Sequence, residues 1–213
     1  MRTEKWDFYI NSLQGHPSVA HTQKTYDGLK FILDWLPLGK VLCIGCADGN
    51  EVRALNELGY QTIGITLGKT NIEWAKQNLP NCDIRLMDMH DLEFQIETFD
   101  CVYSDQCFEH CFSPFIHLLE VWHVLKPNGR FYINTPKFEW SDHTKSTISN
   151  QLNYHHPNML HPQIFRQMFK ETGFIIEREE DEHIWLLRKD RSLSYAHESI
   201  KSCMDKRKDL KCS

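Results

Sequence analysis

Residues 41–50 have the sequence VLCIGCADGN, and this stretch decides the fold. It begins with four apolar residues, a run that is typical of a buried strand. Small residues follow between Gly45 and Gly49, and they predict a tight turn whose backbone approaches a ligand without a Cβ in the way. A strand, a glycine turn and the start of a helix, in this order, hold nucleotide-like ligands in doubly wound α/β proteins.

The composition is that of an ordinary globular protein of about one domain. Of its 213 residues, 41% are hydrophobic and 25% are charged, and the formal net charge is -5. A negative net charge provides no general attraction to nucleic acid or to an anionic membrane surface. No apolar run approaches the ~18 residues that span a bilayer, and the opening MRTEKWDFYI lacks the apolar core of a secretion signal. We expect a cytoplasmic protein, a monomer or a homodimer, with no membrane partner.

Strand and helix patterns alternate along the chain. The residue pattern predicts strands at 40–45, 61–66, 82–87, 99–105, 130–135, 174–179 and 182–188. Helical spacing predicts helices at 18–36, 49–58, 69–79, 113–125 and 161–172. The last two strands are too close in sequence for a crossover, so they are expected to pair antiparallel. The predicted fold class is therefore α/β: a doubly wound, mainly parallel seven-stranded sheet with helices on both faces and an antiparallel last strand pair.

Three segments stand outside this alternation. Residues 1–38 are predicted to be an N-terminal helical segment of a single domain that extends over 1–189. The stretch 136–160 is polar with scattered aromatic residues and histidines, and a connection of this length is typically functional or disordered. It is interpreted as a lid loop or, alternatively, as a solvated loop. Residues 190–213 are interpreted as a polar, basic tail.

Eight cysteines are many for a chain of this length. Because no export signal is recognised, a disulfide framework is not expected. Cys43-x-x-Cys46 has the spacing of half a zinc site or of a redox pair, yet no second pair of suitable spacing follows. Free cysteine behaves as a small hydrophobe, so Cys43, Cys46, Cys107 and Cys111 are interpreted as buried apolar residues.

Four further motifs follow the glycine turn: TIGITLGKTNIEWAKQNLP, DIRLMDMHDLEF, FDCVYSDQCFEH and HVLKPNGRFYINTP. In this order and spacing the chain resembles, over about residues 25–190, the class I (seven-stranded Rossmann-like) S-adenosylmethionine-dependent methyltransferases. The resemblance implies S-adenosyl-L-methionine as the cofactor and methyl transfer as the reaction. It also implies a set of cofactor-binding residues: Gly45, Cys46, Ala47, Gly49, Thr66, Asp88, Met89, Asp105 and Gln106.

The resemblance gives these residues distinct roles. Asp88, after the third strand, would accept a hydrogen bond from the adenine amino group, with Met89 packed on the ring. Asp105 and Gln106 follow the fourth strand at the carboxyl edge of the sheet, where ligands of open α/β folds bind. Two plainer interpretations stay open: Asp88 as a turn former, and Asp105 and Gln106 as ordinary loop residues.

Three positions depart from the family's pattern. The acidic residue that usually grips the ribose hydroxyls at the end of the second strand is Thr66 here. A carboxylate accepts two charge-assisted bonds whereas a hydroxyl offers one neutral contact, a difference of roughly 1–3 kcal/mol in cofactor affinity. The acidic residue often found in the first strand is Cys43, and the usual middle glycine is Ala47. These departures keep open a catalytically inactive, methyltransferase-like binding module.

His110 is the candidate catalytic base, because methyl transfer often requires removal of a proton and imidazole titrates near neutral pH. The alternative is a histidine that packs or caps the following helix. Gln106-x-x-Glu109-His110 also resembles the metal site of ubiquinone-pathway O-methyltransferases, although its first ligand is uncharged here, and no metal is expected. Four more histidines fall in or beside the predicted lid: His143, His155, His156 and His161.

The favoured function is transfer of a methyl group to oxygen or nitrogen of a small-molecule acceptor. Nucleic-acid or protein methylation is the alternative. The acidic charge argues against nucleic acid, as does the lack of the Pro-Pro-aromatic and Pro-Cys motifs that nucleic-acid methyltransferases carry. A classical dinucleotide site is disfavoured because the glycines are spaced G-x-x-x-G rather than G-x-G-x-x-G.

Overall fold

A computed structural model describes Leu29 and residues 36–137 and 160–192 of the chain. The predicted N-terminal helix apart from Leu29 and Leu36, most of the predicted lid and the tail beyond 192 lie outside these residues. The division into one domain, a lid and a tail therefore stays a prediction. Of the four histidines assigned to the lid, His161 is described, and its Nδ1 accepts a hydrogen bond from the N–H of Gln163 at 3.2 Å.

The described strands are β1 (Lys40–Ile44), β2 (Gln61–Thr66), β3 (Asp83–Leu86), β4 (Phe99–Asp105), β5 (Leu125–Asn134), β6 (Phe174–Glu180) and β7 (Ile184–Lys189). The α-helices are α1 (Asn50–Glu57), α2 (Lys69–Asn78), α3 (Pro114–Val124) and α4 (Pro162–Glu171), and a short 3-10 turn spans Phe108–His110. All seven predicted strands are present. The four predicted helices that fall in the described residues begin and end within one residue of their predictions.

The seven strands form one sheet in the order β3-β2-β1-β4-β5-β7-β6. The first five strands in this order pair in parallel, so their carboxyl ends lie along one edge. β7 pairs antiparallel with both β5 and β6, which confirms the predicted fold class. The connection between β6 and β7 is tight because Asp181 and Glu182 have φ angles of 48° and 60°, as in a type I′ hairpin turn.

β5 begins earlier than the sequence predicted. Lys-Pro-Asn-Gly at 126–129 predicts a turn before a strand at 130, whereas Leu125 already pairs with Phe99. The register then shifts, and the ladder resumes where Cys101 pairs with Arg130. The turn residues are thus accommodated as a bulge, which absorbs extra residues in one strand without ending the pairing.

Alternate residues of the strands face two separate cores. Leu42 and Ile44 pack on one face together with residues of α3 and α4. Val41 and Cys43 pack on the other face with residues of α1. Helices therefore cover both faces of the sheet, as a parallel sheet requires. Among the described residues, no helix combines the length and the apolar character that a membrane crossing needs.

Candidate active site

The glycine turn after β1 is fixed by close packing. Gly45 and Gly49 have φ angles of 75° and 89°, in the left-handed region that glycine adopts without steric cost. A Cβ on Gly45 would lie 2.3 Å from Sγ of Cys107, and one on Gly49 would lie 2.1 Å from Cδ1 of Ile84. Gly45 is therefore required by both its φ angle and its packing, Gly49 is favoured by its φ angle, and the predicted tight turn is confirmed.

The amides of this turn are engaged inside the fold. The N–H groups of Gly45 and Cys46 both donate to the carbonyl of Ile65, at 2.9 and 3.1 Å. The N–H of Gly49 donates to the carbonyl of Cys46 at 2.7 Å. These bonds tie β1 to β2 and close the turn. What the turn presents to a ligand is a backbone surface without large side chains, rather than these three amides.

A pocket of about 210 Å³ lies at the carboxyl ends of the first four strands. The predicted site residues that line it are Gly45, Ala47, Thr66, Met89, Gln106 and His110. The predicted site residues that are not in its wall are Cys46, Gly49, Asp88 and Asp105. The wall also includes residues that the sequence did not single out: Ile44, Ile65, Leu67, Gly68, Asn71, Met87 and Cys107. Segments far apart in the sequence thus converge on the edge where open α/β folds bind ligands.

The corner at the end of β2 combines Thr66 with Asn71. Both side chains are buried, and both line the pocket. Oγ1 of Thr66 accepts a hydrogen bond from the N–H of Gly68 at 3.2 Å, which leaves the hydroxyl proton to donate elsewhere. Gly68 makes room for the amide, since a Cβ there would lie 2.5 Å from Nδ2 of Asn71. Sequence reasoning missed Asn71, although a polar residue in the first turn of the helix after Thr66 was an available signal.

Asp88 is held in a turn by its own neighbour. Its Oδ1 accepts a hydrogen bond from the backbone N–H of His90 at 2.9 Å and lies 2.8 Å from Nδ1 of the same residue. The turn-forming interpretation is therefore realised. The carboxylate is 22% exposed, whereas the next residue, Met89, lines the pocket. The adenine-binding role of Asp88 stays a prediction.

The residues after β4 form the opposite wall. Oδ1 of Asp105 accepts a hydrogen bond from Nδ2 of Asn134 at 2.6 Å, so β5 sets its orientation. Gln106 has a φ angle of 47°, and its N–H donates to the carbonyl of Asn134 at 2.8 Å. This sharp change of direction brings Gln106 into the pocket wall. His110 ends the 3-10 turn and lines the same wall, with its side chain 23% exposed.

Glu109 is a buried neighbour of His110. Its side chain is 2% exposed, and its Oε1 lies 3.9 Å from Nε2 of His110. Its Oε2 has no hydrogen-bond partner among the described residues. Burial raises the pKa of Glu109 to about 8, and the charge of Asp105 adds to the shift. Glu109 is therefore mainly protonated at neutral pH, next to an imidazole at the wall of the pocket.

Carboxyl groups surround the glycine turn. Burial raises the pKa of Glu51 to about 7, and the charges of Asp105 and Asp48 add to the shift. Glu51 stands in the first turn of α1 and Asp105 at the end of β4. Negative potential at this point favours a positively charged group of a ligand.

The cysteines near the turn are neutral packing residues. Burial raises the pKa values of the Cys43 and Cys46 thiols well above the usual range of a thiol. Cys107 and Cys111 are also buried, and all four are free thiols, which confirms their interpretation as apolar residues. In the part of the chain that the structure describes, no group of three His, Cys, Asp or Glu side chains is placed to hold a metal ion.

Comparisons with known proteins find similarity to methyltransferases. A family model described as a methyltransferase domain matches residues 42–133. The sterol 24-C-methyltransferase of Saccharomyces cerevisiae is 28% identical over 156 residues, which are 66% of this chain and 40% of that protein. A ubiquinone biosynthesis O-methyltransferase of Bartonella tribocorum is 29% identical over 105 residues, 47% of this chain and 42% of that protein.

A solved structure extends the likeness of the fold. Haemonchus contortus phosphoethanolamine N-methyltransferase 2, in complex with S-adenosyl-L-methionine, has a TM-score of 0.58 and 22% identity, covering 81% of this chain and 42% of that one. The chain spans between a third and about half of the length of the first curated relatives that it matches. Residues 42–133 thus match a methyltransferase-domain family, and the fold is similar to that of a solved S-adenosylmethionine-dependent methyltransferase of Archaeoglobus fulgidus.

Proposed function

We propose that the protein transfers the methyl group of S-adenosyl-L-methionine to an oxygen or nitrogen atom of a small-molecule acceptor. The observation that carries this proposal is the pocket wall shared by Gly45, Thr66, Met89 and His110, which come from four separate segments at the sheet edge. The chemical groups of the pocket wall match the three parts of the cofactor. They offer bare backbone for its methionine part, a hydroxyl and an amide for its ribose, and thioether side chains for its adenine.

The cofactor would lie across the carboxyl ends of the first strands. Its ammonium group would be attracted by the carboxyl groups of Glu51 and Asp105, whose mutual repulsion a cation relieves. Its ribose would meet Thr66 and Asn71, whose hydroxyl and amide oxygens together provide two acceptors, as a single carboxylate does elsewhere in the family. Met89 would pack on the adenine, since sulfur makes favourable contacts with aromatic rings.

When bound, S-adenosyl-L-methionine supplies a methyl group on a positively charged sulfur. The chain's own part is to align the acceptor with that methyl group and to take up a proton. His110 is proposed to accept the acceptor's proton on a ring nitrogen while the acceptor's electron pair forms the new bond to carbon, and the electron pair of the broken carbon–sulfur bond stays on sulfur. Glu109, mainly protonated at neutral pH because burial raises its pKa, adds little charge beside this imidazole.

Three features favour a small acceptor, and the last of them favours an acceptor with an apolar part. The relatives named above act, by their names, on a sterol, on ubiquinone precursors and on phosphoethanolamine. The net charge of -5 disfavours nucleic acid. Phe112, Phe115 and Ile116 are exposed at and just before the start of α3, within six residues of His110 in the sequence, and exposed apolar side chains close to a site favour an apolar ligand.

The test begins with calorimetric titration of S-adenosyl-L-methionine and S-adenosylhomocysteine. Transfer of a labelled methyl group is then measured on phenols, amines, a sterol, a protein mixture and nucleic acid. We expect binding of both ligands and turnover on one small-molecule class. Absence of binding at millimolar concentration would refute the proposal. Binding without any turnover would support the inactive module, and turnover on nucleic acid or protein would support that alternative.

His110→Gln tests the base once an acceptor is known. Loss of a general base typically lowers the rate by about 10²–10⁴-fold, so we expect kcat to fall while the dissociation constant of S-adenosylhomocysteine is unchanged. A variant with the turnover of the unmodified protein would show that His110 is a packing or capping residue.

A further inference from the structure

One histidine connects the two walls of the pocket. His90 follows β3, and its ring reaches both Asp88 on the same loop and the backbone after β4. Nδ1 of His90 lies 2.8 Å from Oδ1 of Asp88. Nε2 of His90 accepts hydrogen bonds from the N–H groups of Phe112 and Ser113, at 3.1 and 3.3 Å. The segment that carries His110 is thereby joined to the loop that carries Asp88 and Met89.

The contacts of His90 determine its tautomer. A backbone N–H can only donate, so Nε2, which faces two of them, carries a lone pair and no proton. The ring proton of the neutral imidazole is then on Nδ1 and is donated to Asp88. The same Oδ1 also accepts the backbone N–H of His90 at 2.9 Å. Both bonds fix the rotation of the Asp88 carboxylate.

Two other contacts attach the same loop to α3. His117 is fully buried, and its Nδ1 lies 3.1 Å from the carbonyl of Met89. Glu120, also buried, accepts a hydrogen bond from the N–H of Leu92 at 2.9 Å on Oε2. These contacts hold the backbone of the loop. Of His90, His117 and Glu120, it is His90 whose ring bonds the side chain of Asp88.

We propose that His90 is a positioning residue for nucleobase recognition, holding the Asp88 carboxylate so that it accepts a hydrogen bond from the 6-amino group of a purine. The proposal rests on the proposed function, because it takes the pocket to bind an adenosyl ligand. It goes beyond that function in assigning the preference for a 6-amino over a 6-oxo purine to a residue outside the pocket wall. A 6-oxo group is an acceptor, as the carboxylate is, so no hydrogen bond forms between them. A purine with this group is therefore disfavoured where the carboxylate is held in place.

The test compares S-adenosylhomocysteine with S-inosylhomocysteine, its 6-oxo analogue, by calorimetry. Two substitutions separate the bonds of the ring. In His90→Asn the side-chain amide occupies the place of Nδ1 and still donates to Asp88. In His90→Gln the amide reaches the place of Nε2 and still accepts from the amides of Phe112 and Ser113. We expect the unmodified protein to bind the amino ligand about tenfold or more tightly than the oxo ligand. His90→Asn should keep most of this ratio, and His90→Gln and Asp88→Asn should lose it.

His117→Gln is the matched control, because it disturbs the same loop without touching Asp88. It should weaken both ligands alike and leave their ratio unchanged, and thermal unfolding confirms that each variant is folded. If the unmodified protein binds neither ligand, the proposed function itself fails. The inference is overturned if the unmodified protein shows the expected ratio and His90→Gln keeps it. It is also overturned if His117→Gln loses the ratio as fully as His90→Gln does, because His90 then has no special part in recognition.

Discussion

The two sides of the pocket are held in place by opposite means. On the side that we propose for the methionine part of the cofactor, Gly45 is fixed by the absence of a side chain, with the sulfur of Cys107 packed where its Cβ would be. On the opposite side, the loops after β3 and β4 are held by polar side chains, among them Asp88 and His90. Steric exclusion tolerates no added atom. Polar contacts change with protonation and with substitution by side chains of similar shape. On the second side, therefore, pH and substitution should change stability and ligand binding gradually.

Gly45→Ala should give the largest effect. The new Cβ would collide with Sγ of Cys107, and the alanine would have to adopt a φ angle of 75°. Left-handed strain costs about 1–2 kcal/mol and overpacking about 1–3 kcal/mol, so we expect the free energy of unfolding to fall by about 2–5 kcal/mol. Binding of S-adenosylhomocysteine should be lost. Urea denaturation and calorimetry measure the two effects.

Gly59→Ala separates strain from collision. Gly59 has a φ angle of 95°, but the nearest atom to its added Cβ is Cδ2 of Leu38 at 3.7 Å, an ordinary contact. It should cost about 1–2 kcal/mol of stability for the backbone strain alone and leave ligand affinity unchanged. Equal stability losses in the two variants, with binding retained in both, would show that the turn is not held by steric exclusion.

Glu109→Gln should change the pH dependence of stability on the polar side. Burial raises the pKa of Glu109 from 4.5 to about 8. Between these values the unfolded chain has lost the proton that the folded chain keeps, so the stability of the unmodified protein falls as pH rises through this window. Each pKa unit corresponds to about 1.4 kcal/mol. The variant should therefore gain on the order of a few kcal/mol over the unmodified protein at pH 8, and little at pH 4.5.

Glu73→Gln, on the exposed face of α2, controls for the loss of one negative charge. Urea denaturation at three pH values compares the three proteins. Parallel stability profiles for Glu109→Gln and the unmodified chain would mean that Glu109 is ionised in the fold, and that the wall beside His110 is more polar than its burial indicates.

The elements around the pocket differ in how far the sequence predicts them. The strand limits at 61–66 and 99–105 agree with their predictions, because QTIGIT and FDCVYSD contain the β-branched and aromatic residues that are favoured in strands. The turn at Gly45 follows from its glycines. The bonds of His90 do not, because Phe112 and Ser113 are brought to it by the docking of two irregular loops, for which no periodic pattern exists.

The orientation of α2 shows the same limit within a regular element. Ile72, Ala75 and Leu79 have the spacing of one apolar face, and they predict that this face is buried. The structure buries Asn71 with Ala75 and Leu79 instead, and leaves Ile72 half-buried. Helical spacing indicates a face only to within about one residue, since neighbouring positions differ by ~100°. A polar side chain that such a rotation places inside a pocket is a better sign of a ligand contact than of packing.

Asn71→Ala tests this corner, which lies between the two sides, and should give the smallest effect. Asn71 lines the pocket next to Thr66. A neutral hydrogen bond to a ribose hydroxyl contributes about 0.5–1.5 kcal/mol, so its loss should weaken the binding of S-adenosylhomocysteine by about three- to tenfold. Asn78→Ala is the control, because that exposed amide bonds the carbonyl of Trp74 on the same helix and lies outside this pocket wall. Calorimetry with S-adenosylhomocysteine and with its 2′-deoxy analogue decides the contact. An Asn71→Ala variant that still distinguishes the two ligands as the unmodified protein does would leave Thr66 alone as the residue that replaces the missing carboxylate.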